Sequence, residues 1–415
     1  MRQRRVVVTG LGCVTPVGND VASSWAAILA GASGGAPITH FDSSGCKVHF
    51  ACEVKGFDAS LYMDRKEIKR SDMYTRYAMA ASVQAMRDAG FGDRTGYTPE
   101  RTGVIVGSGI GGINTFEEQL AIQREQGPGR ISPFFVPMYI ADIAAGVIAM
   151  RFQAKGPNYA IVSACSTSGH AIGDAFRIVA YGDADVMLAG GSEAAITVMS
   201  VGGFGNMGAL STRNDSPATA SRPFDSTRDG FVLGEGAGVV VLEELSHAKA
   251  RGAHVYAELV GYGATGDAYH LTGQPDDHEG LQRAMRRALE DAELEPTNVQ
   301  YVNAHGTSTP LNDPNEIRAI KKVFGDHART MNVSSTKSAT GHTLGAAGGI
   351  EFIFTTLAIR DNVAPPTINL NSQDPECDLN CTPNVPQRRE INAALSNSSG
   401  FGGHNVSLAI RRFAE

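Results

Sequence analysis

Ser163-Ala-Cys-Ser-Thr-Ser-Gly-His170 and Ser335-Thr-Lys-Ser-Ala-Thr-Gly-His342 align without a gap at an offset of 172 residues, and the match continues through Gly173/Gly345, Ala175/Ala347 and Ile178/Ile350. Two Gly/Ser/Ala-rich helix starts can resemble one another by chance. Agreement of serine, serine, glycine, histidine, glycine, alanine and isoleucine in one register favours a duplicated unit. The chain then reads as an α/β protein made of two copies of one fold, residues 1–250 and 251–415, packed about a pseudo-twofold axis. In this register Cys165 and Lys337 are equivalent, each at a strand-to-helix junction, so that two helix N-termini converge on one site. Such termini carry partial positive charge and free N–H groups, which favour a thiolate and an oxyanion.

Outward from the repeat, short β-branched runs enter Gly/Ser-rich turns and then helical periodicity at residues 6–9, 102–106, 161–162, 186–188 and 239–242. These read as buried strands feeding helices. Residues 282–292, with Leu281, Met285, Ala288, Leu289 and Ala292 on one stripe, predict an amphipathic helix, and a strand resumes at 298–303. The 48 glycines and 42% apolar content of the 415 residues are spread over the whole length, as in one large buried unit or two fused similar ones. Six cysteines are too sparse for a disulfide framework, which points to a reducing compartment.

The basic start Met1-Arg-Gln-Arg-Arg5 precedes an apolar run that stops at Val8, a strand and not an export signal. No apolar stretch, residues 140–152 included, reaches the roughly 18 to 20 residues needed to span a bilayer. A soluble cytoplasmic protein without a membrane partner is expected. A net charge of −7 argues against nucleic acid as a partner. An acidic partner would need a local basic patch, and Arg65, Lys66, Lys69 and Arg70 at helical spacing before the periodic segment 74–86 supply one; a solvated helix end explains the same charges equally well.

Three segments carry candidate chemistry. Cys165 is flanked by small residues at a helix start that can depress a thiol pKa, although a lone cysteine after a strand is more often an inert core residue. His305, in Asn303-Ala-His-Gly-Thr-Ser-Thr-Pro310, lies where a strand end runs into a turn, presented to a ligand or bonded to its own loop. His342 follows Lys337 by about one helical turn, on a helix expected to continue to Glu351; alone, Lys337 reads as a surface lysine. No HExxH, no credible nucleophile elbow and no second ligand pair for Cys377 and Cys381 is present. Gly107-Ser-Gly-Ile-Gly-Gly112 does not complete a dinucleotide fingerprint.

Taken together, Cys165, His305, His342 and Lys337 resemble the site of the elongating β-ketoacyl-acyl carrier protein synthases, most closely the type II synthases. The resemblance covers essentially the whole chain, through Val6-Val-Val-Thr-Gly-Leu-Gly12, Ser132-Pro-Phe-Phe135, Tyr181-Gly-Asp-Ala-Asp185, Ser221-Arg-Pro-Phe-Asp225, Asp229-Gly-Phe-Val-Leu-Gly-Glu-Gly236, Val333-Ser-Ser-Thr-Lys337 and Pro365-Pro-Thr-Ile-Asn369. It implies a thiolase-like fold layered α-β-α-β-α, a homodimer, and decarboxylative condensation of an enzyme-bound acyl group with malonyl-acyl carrier protein in fatty acid elongation. No cofactor is implied beyond the phosphopantetheine that carries the substrates.

The resemblance also implies roles. Cys165 takes the acyl group, with its own N–H and that of Phe401 as the oxyanion hole. His305 and His342 are neutral donors to the malonyl enolate. Lys337 keeps His342 neutral, and Glu351 balances Lys337. Thr307 and Thr309 bind pantetheine, Ile110, Phe204 and Phe401 shape and gate the acyl pocket, and a structural monovalent cation is implied near Asn303, Glu351, Ser396 and Asn397. The basic cluster at Arg65, Lys66, Lys69 and Arg70 then docks the acidic carrier protein.

The chain departs from the family at Ser399, usually phenylalanine, and at His404, usually threonine; His404 is expected to refill the space beside Ser399. A ketosynthase of a specialised polyketide or polyene pathway would share every catalytic residue. A non-catalytic chain-length partner would lack Cys165. A degradative thiolase would need a C-terminal Cys-x-Gly, and an initiating synthase usually has asparagine in place of His342.

Overall fold

The computed structural model describes residues 4–92 and 95–414. The first part of the basic N-terminal stretch, residues 1–3, lies outside the described residues. Ten strands form one sheet: β1 (Val6–Val14), β2 (Thr102–Gly107), β3 (Asn158–Tyr159), β4 (Val186–Glu193), β5 (Gly236–Glu244), β6 (Ala257–Gly266), β7 (Tyr301–Asn303), β8 (Asn332–Ser334), β9 (Ala393–Gly400) and β10 (His404–Arg411). Their spatial order is β8-β7-β9-β10-β6-β1-β5-β4-β2-β3. Outward from the contact of β1 with β6, one side runs 1-5-4-2-3 and the other 6-10-9-7-8, the same path taken twice. Pairing repeats as well. In each half the inner pairs are antiparallel and the outer pairs parallel.

The helices that matter for the site are α1 (Arg65–Lys69), α2 (Met73–Asp88), α3 (Thr167–Tyr181), α4 (Val198–Met207), α5 (Glu279–Ala292), α6 (Asn312–Phe324), α7 (Lys337–Thr340) and α8 (Ala347–Asp361). α2 covers β1 and β5, and α5 covers β6 and β10. Both contacts depend on glycine. A β-carbon at Gly10 or Gly12 would come 2.1 Å from Ala85 O or 1.9 Å from Ala81 O, and one at Gly261 or Gly263 would come 2.0 Å from Ala288 O or 1.9 Å from Ala284 O. The two halves therefore seat their outer helices by the same device. α3 and α8 pack together between the halves, completing the α-β-α-β-α layering. α8 is buried on every side from residue 347 to 359, which explains why its sequence shows no polar stripe.

These two central helices are each other's counterparts, and they correct the register of the repeat. Each is entered by a 3-10 turn, Ala164–Ser166 or Leu344–Ala346, whose first residue is left-handed (φ 51° and 47°). Each ends on a left-handed residue, Gly182 or Asn362. The structural offset from residue 164 to 344 is 180 residues, not 172, and Cys165 corresponds to Gly345 instead of Lys337.

Two further expectations fail for local reasons. Residues 161–162 form no strand: the ladder at that edge is only the two residues of β3, and Val162 is 60% exposed. The helix at Lys337 does not run on to Glu351. Gly341 adopts φ 65° and ends α7, and a β-carbon there would meet Cys52 Sγ at 2.8 Å. His342 instead bridges Leu233, its N–H donating to Val232 O at 2.7 Å and its carbonyl accepting from Gly234 N–H at 2.9 Å.

Candidate active site

Cys165 lines a cavity of about 430 Å³, in the turn that launches α3. The backbone N–H groups of Phe401 and of Cys165 itself lie beside its sulfur, where they favour the thiolate. Phe401 reaches this position from the turn between β9 and β10, and the approach requires Gly400, where a β-carbon would lie 2.8 Å from Ser163 O. Burial pushes the Cys165 thiol up to about 12, against the pull of Lys337 and these two N–H groups. The expected depression by a helix start is thus outweighed by desolvation, and the side chain rests as a thiol.

The structure brings His305 and His342 to the same cavity, their rings edge-to-face with centroids 5.3 Å apart. Burial, then Lys337, hold both imidazoles well below the ordinary histidine value, so both are neutral. The tautomer of His342 follows from its neighbour. Leu344 N–H donates to Nδ1 at 3.3 Å, so Nδ1 is bare and Nε2 carries the hydrogen. His305 is fixed through its backbone: its N–H and that of Gly306 donate to the two carboxylate oxygens of Glu316 at 2.9 and 2.8 Å. Glu316, fully buried on α6, was not singled out from the sequence. The available signal was an acid among the apolar positions of an otherwise amphipathic helix.

Lys337 is buried and ion-paired with Glu351, which lies on α8 and not on the helix of Lys337. Burial pushes the Glu351 carboxyl up to about 7, opposed by Lys337. Thr307 and Thr309 line the cavity with their hydroxyls 3.0 Å apart, and Ile110, Phe204 and Phe401 supply apolar wall. The glycine-rich segment after β2 is a carboxylate cradle: Ser108 Oγ and the N–H groups of Gly109 and Ile110 donate to buried Glu193, as does Gly345 N–H. This ties the loop after β2 and the start of α8 to β4.

His404 does not refill the space beside Ser399. It is exposed, with its ring edge-on to His170 at 6.3 Å. β9 and β10 pair antiparallel, so His404 stands opposite Gly400 while Ser399 faces Asn405. The imidazole next to Ser399 is that of His278. Arg65, Lys66, Lys69 and Arg70 are exposed on and just beyond α1, away from the cavity, with the Arg70 guanidinium 4.4 Å over the Phe134 ring. Asn303 Oδ1 and Glu351 Oε2 are buried oxygens without a hydrogen-bond partner.

Residues 3–248 match the family described as Beta-ketoacyl synthase, N-terminal domain, and residues 256–371 match Beta-ketoacyl synthase, C-terminal domain. A curated relative in Coxiella burnetii, a 3-oxoacyl-[acyl-carrier-protein] synthase 2, is 52% identical over 99% of both chains. One of the same name in Synechocystis is 51% identical over 100% of this chain and 99% of its own. Among solved structures, a type II polyketide synthase acyl carrier protein in complex with its ketosynthase matches with a TM-score of 0.92 and 37% identity, over 99% of this chain and 100% of that one. A beta-ketoacyl synthase from Burkholderia phymatum matches with a TM-score of 0.92 and 36% identity, over 99% of this chain and 100% of that one.

Proposed function

We propose, because this chain belongs to the β-ketoacyl synthase family, that it condenses a Cys165-bound acyl group with malonyl-acyl carrier protein to give 3-oxoacyl-acyl carrier protein, the elongation step of fatty acid synthesis. The enzyme is an acyltransferase of the 3-oxoacyl-acyl carrier protein synthase II kind. One observation carries the residue assignment: a cysteine under two backbone N–H groups shares an apolar-walled cavity with two neutral imidazoles.

The chemistry follows from that geometry. The Cys165 sulfur attacks the carrier thioester, and the N–H groups of Cys165 and Phe401 hold the tetrahedral oxyanion. The carrier thiol leaves with the proton that Cys165 gives up. In the second half-reaction the malonyl carbon–carboxylate bond breaks, carbon dioxide departs, and the electron pair enters the thioester enolate, whose oxygen accepts from His305 and His342 Nε2–H. The carbanion attacks the Cys165 thioester, and the expelled sulfur regains a proton from solvent. Loss of carbon dioxide drives the step, so no cofactor is required.

Lys337, with Glu351 balancing its charge, disfavours protonation of both imidazoles. Asn303 Oδ1 and Glu351 Oε2, both unpartnered, fit a structural monovalent cation held together with Ser396 and Asn397. The division of the two halves falls near residue 250, between β5 and β6. Tyr159 and Val162, exposed at and beyond the open edge strand β3, together with exposed Val136, Val198 and Met199, form the surface we assign to a second copy in a homodimer. Among the described residues no helix is long and apolar enough to cross a membrane, and we place the enzyme in the cytoplasm.

The direct test supplies purified enzyme with an acyl-carrier protein and then malonyl-carrier protein. A Cys165 acyl adduct followed by a 3-oxoacyl product two carbons longer is expected; no adduct would return the chain to a non-catalytic role. Carrier docking has its own check. Lys66→Glu with Lys69→Glu should raise KM for carrier-bound acyl substrate about tenfold or more at low salt, with little change for a small pantetheine thioester, and the difference should shrink as salt rises. An equal defect with both substrates would place the damage in the site and not in docking.

A further inference from the structure

The hairpin that presents Phe401 is tied at its base by a buried polar cluster that the proposed mechanism does not use. His278, fully buried, precedes α5 with φ 47°. Its Nε2 lies 3.1 Å from Asn405 Oδ1 and 3.3 Å from Ser399 Oγ, and Ser399 and Asn405 are register partners across β9 and β10. Ser399 Oγ donates to Asn405 Oδ1 at 2.9 Å, and Asn405 Nδ2 donates to Asp267 Oδ1 at 2.6 Å. The bond to Asp267 fixes the amide, so Oδ1 faces His278. An amide oxygen only accepts, so the imidazole nitrogen beside it carries the hydrogen. Nε2–H is therefore shared by Asn405 and Ser399, and Nδ1, the bare nitrogen, has no donor.

Three unfavourable features coincide at His278. A residue with a β-carbon is held in the left-handed region, its side chain does not cap α5, and a buried acceptor goes unmet. Serine or aspartate would cap the helix better. The side chain is spent instead on the hairpin, and Ser399, which lines the cavity, is two residues from Phe401.

We infer that His278 is a positioning residue for acyl transfer: its Nε2–H, shared by Asn405 and Ser399, locks the hairpin in the register that sets the Phe401 N–H on the Cys165 sulfur. This rests on the reading of Cys165 as the acyl acceptor. It also makes His278 the support behind the Ser399 wall of the acyl cavity, in the place the sequence assigned to His404.

Two substitutions separate this role from a structural one. Asparagine tolerates the left-handed backbone but is too short to reach both partners, whereas glutamine restores the reach of an N–H donor. His278→Asn should slow acylation of Cys165 by roughly 10- to 100-fold in kcat, as displacement of one oxyanion donor implies, with KM and malonyl decarboxylation within about twofold of wild type. His278→Gln should recover most of the acylation rate. If wild type acylates Cys165 and His278→Asn does so at the same rate, the inference is wrong. Parallel loss of acylation and decarboxylation would also overturn it, because damage to folding lowers both. Should His278→Asn fail to fold, His278→Gln decides by the same ratio: acylation retained supports the inference, and acylation lost with decarboxylation intact refutes donor reach as the cause. Absence of any adduct on wild-type Cys165 would overturn the proposed function itself.

Discussion

Cys165→Ala is expected to abolish condensation while malonyl decarboxylation persists. No other cysteine can substitute. Cys13, Cys52, Cys377 and Cys381 are buried with their thiols pushed up by desolvation, and neither they nor Cys46 lines the cavity. A high thiol pKa does not itself distinguish Cys165, whose own is pushed up to about 12. What distinguishes it is access to the cavity and the backbone N–H groups of Cys165 and Phe401 beside its sulfur, which would hold the oxyanion formed there. Removing the sulfur leaves no atom to accept the acyl group, so mass spectrometry should find no adduct and product should fall below detection. The imidazoles remain where they are, and malonyl-carrier protein should still release carbon dioxide to give the acetyl thioester. An acyl adduct on Cys165→Ala, or loss of decarboxylation with the nucleophile, would contradict this division of labour.

Much of this was legible in the chain because function is written in short, chemically loaded segments. Cys165, His305, His342 and Lys337 all stand at or near the cavity, and the duplicated architecture is present. The register was not legible. The match of residues 163–170 with 335–342 is real as sequence, but the structural partner of the Cys165 turn is Leu344–Ala346, where glycine and alanine replace every chemical cue. Helix continuity past Lys337 failed because one left-handed glycine outweighs a favourable run of small residues. Supporting groups were the hardest to see. Glu193 and His278 act through hydrogen bonds across 83 to 152 and 121 to 127 residues, which no local pattern announces, while Glu316 reaches only 10 to 11 residues back and has as its one signal an acid among the apolar positions of its helix. The Ser399 prediction misplaced its partner for the same reason: strand pairing, not sequence proximity, decides what stands beside it.

The second large effect concerns the histidines. His305→Ala and His342→Ala should each acylate Cys165 at near the wild-type rate while condensation drops by about 10²- to 10³-fold, the size expected when one preorganised oxyanion donor is lost. That range corresponds to about 2.7 to 4 kcal/mol of transition-state stabilisation. His342 is the better defined case, because Leu344 N–H fixes its tautomer with Nε2–H left to donate. His342→Asn, which retains an amide donor, should therefore lose less than His342→Ala. The pH dependence carries the same logic with a definite sign. Both imidazoles are held well below the ordinary value by burial and by Lys337, so the neutral donor form persists to lower pH than for a free histidine. Decarboxylation should accordingly stay flat as pH falls from about 8 to about 6. An acid limb centred near the free-histidine value would show that at least one imidazole is not shielded in this way. Removing Lys337 alone would leave Glu351 buried without its cation, a loss of about 3 to 5 kcal/mol of stability when a buried pair is broken, so Lys337→Met is informative only beside Lys337→Met with Glu351→Gln. If the double variant folds, its decarboxylation should acquire an acid limb at higher pH than wild type, because one of the two influences that hold His342 neutral has been withdrawn while burial remains.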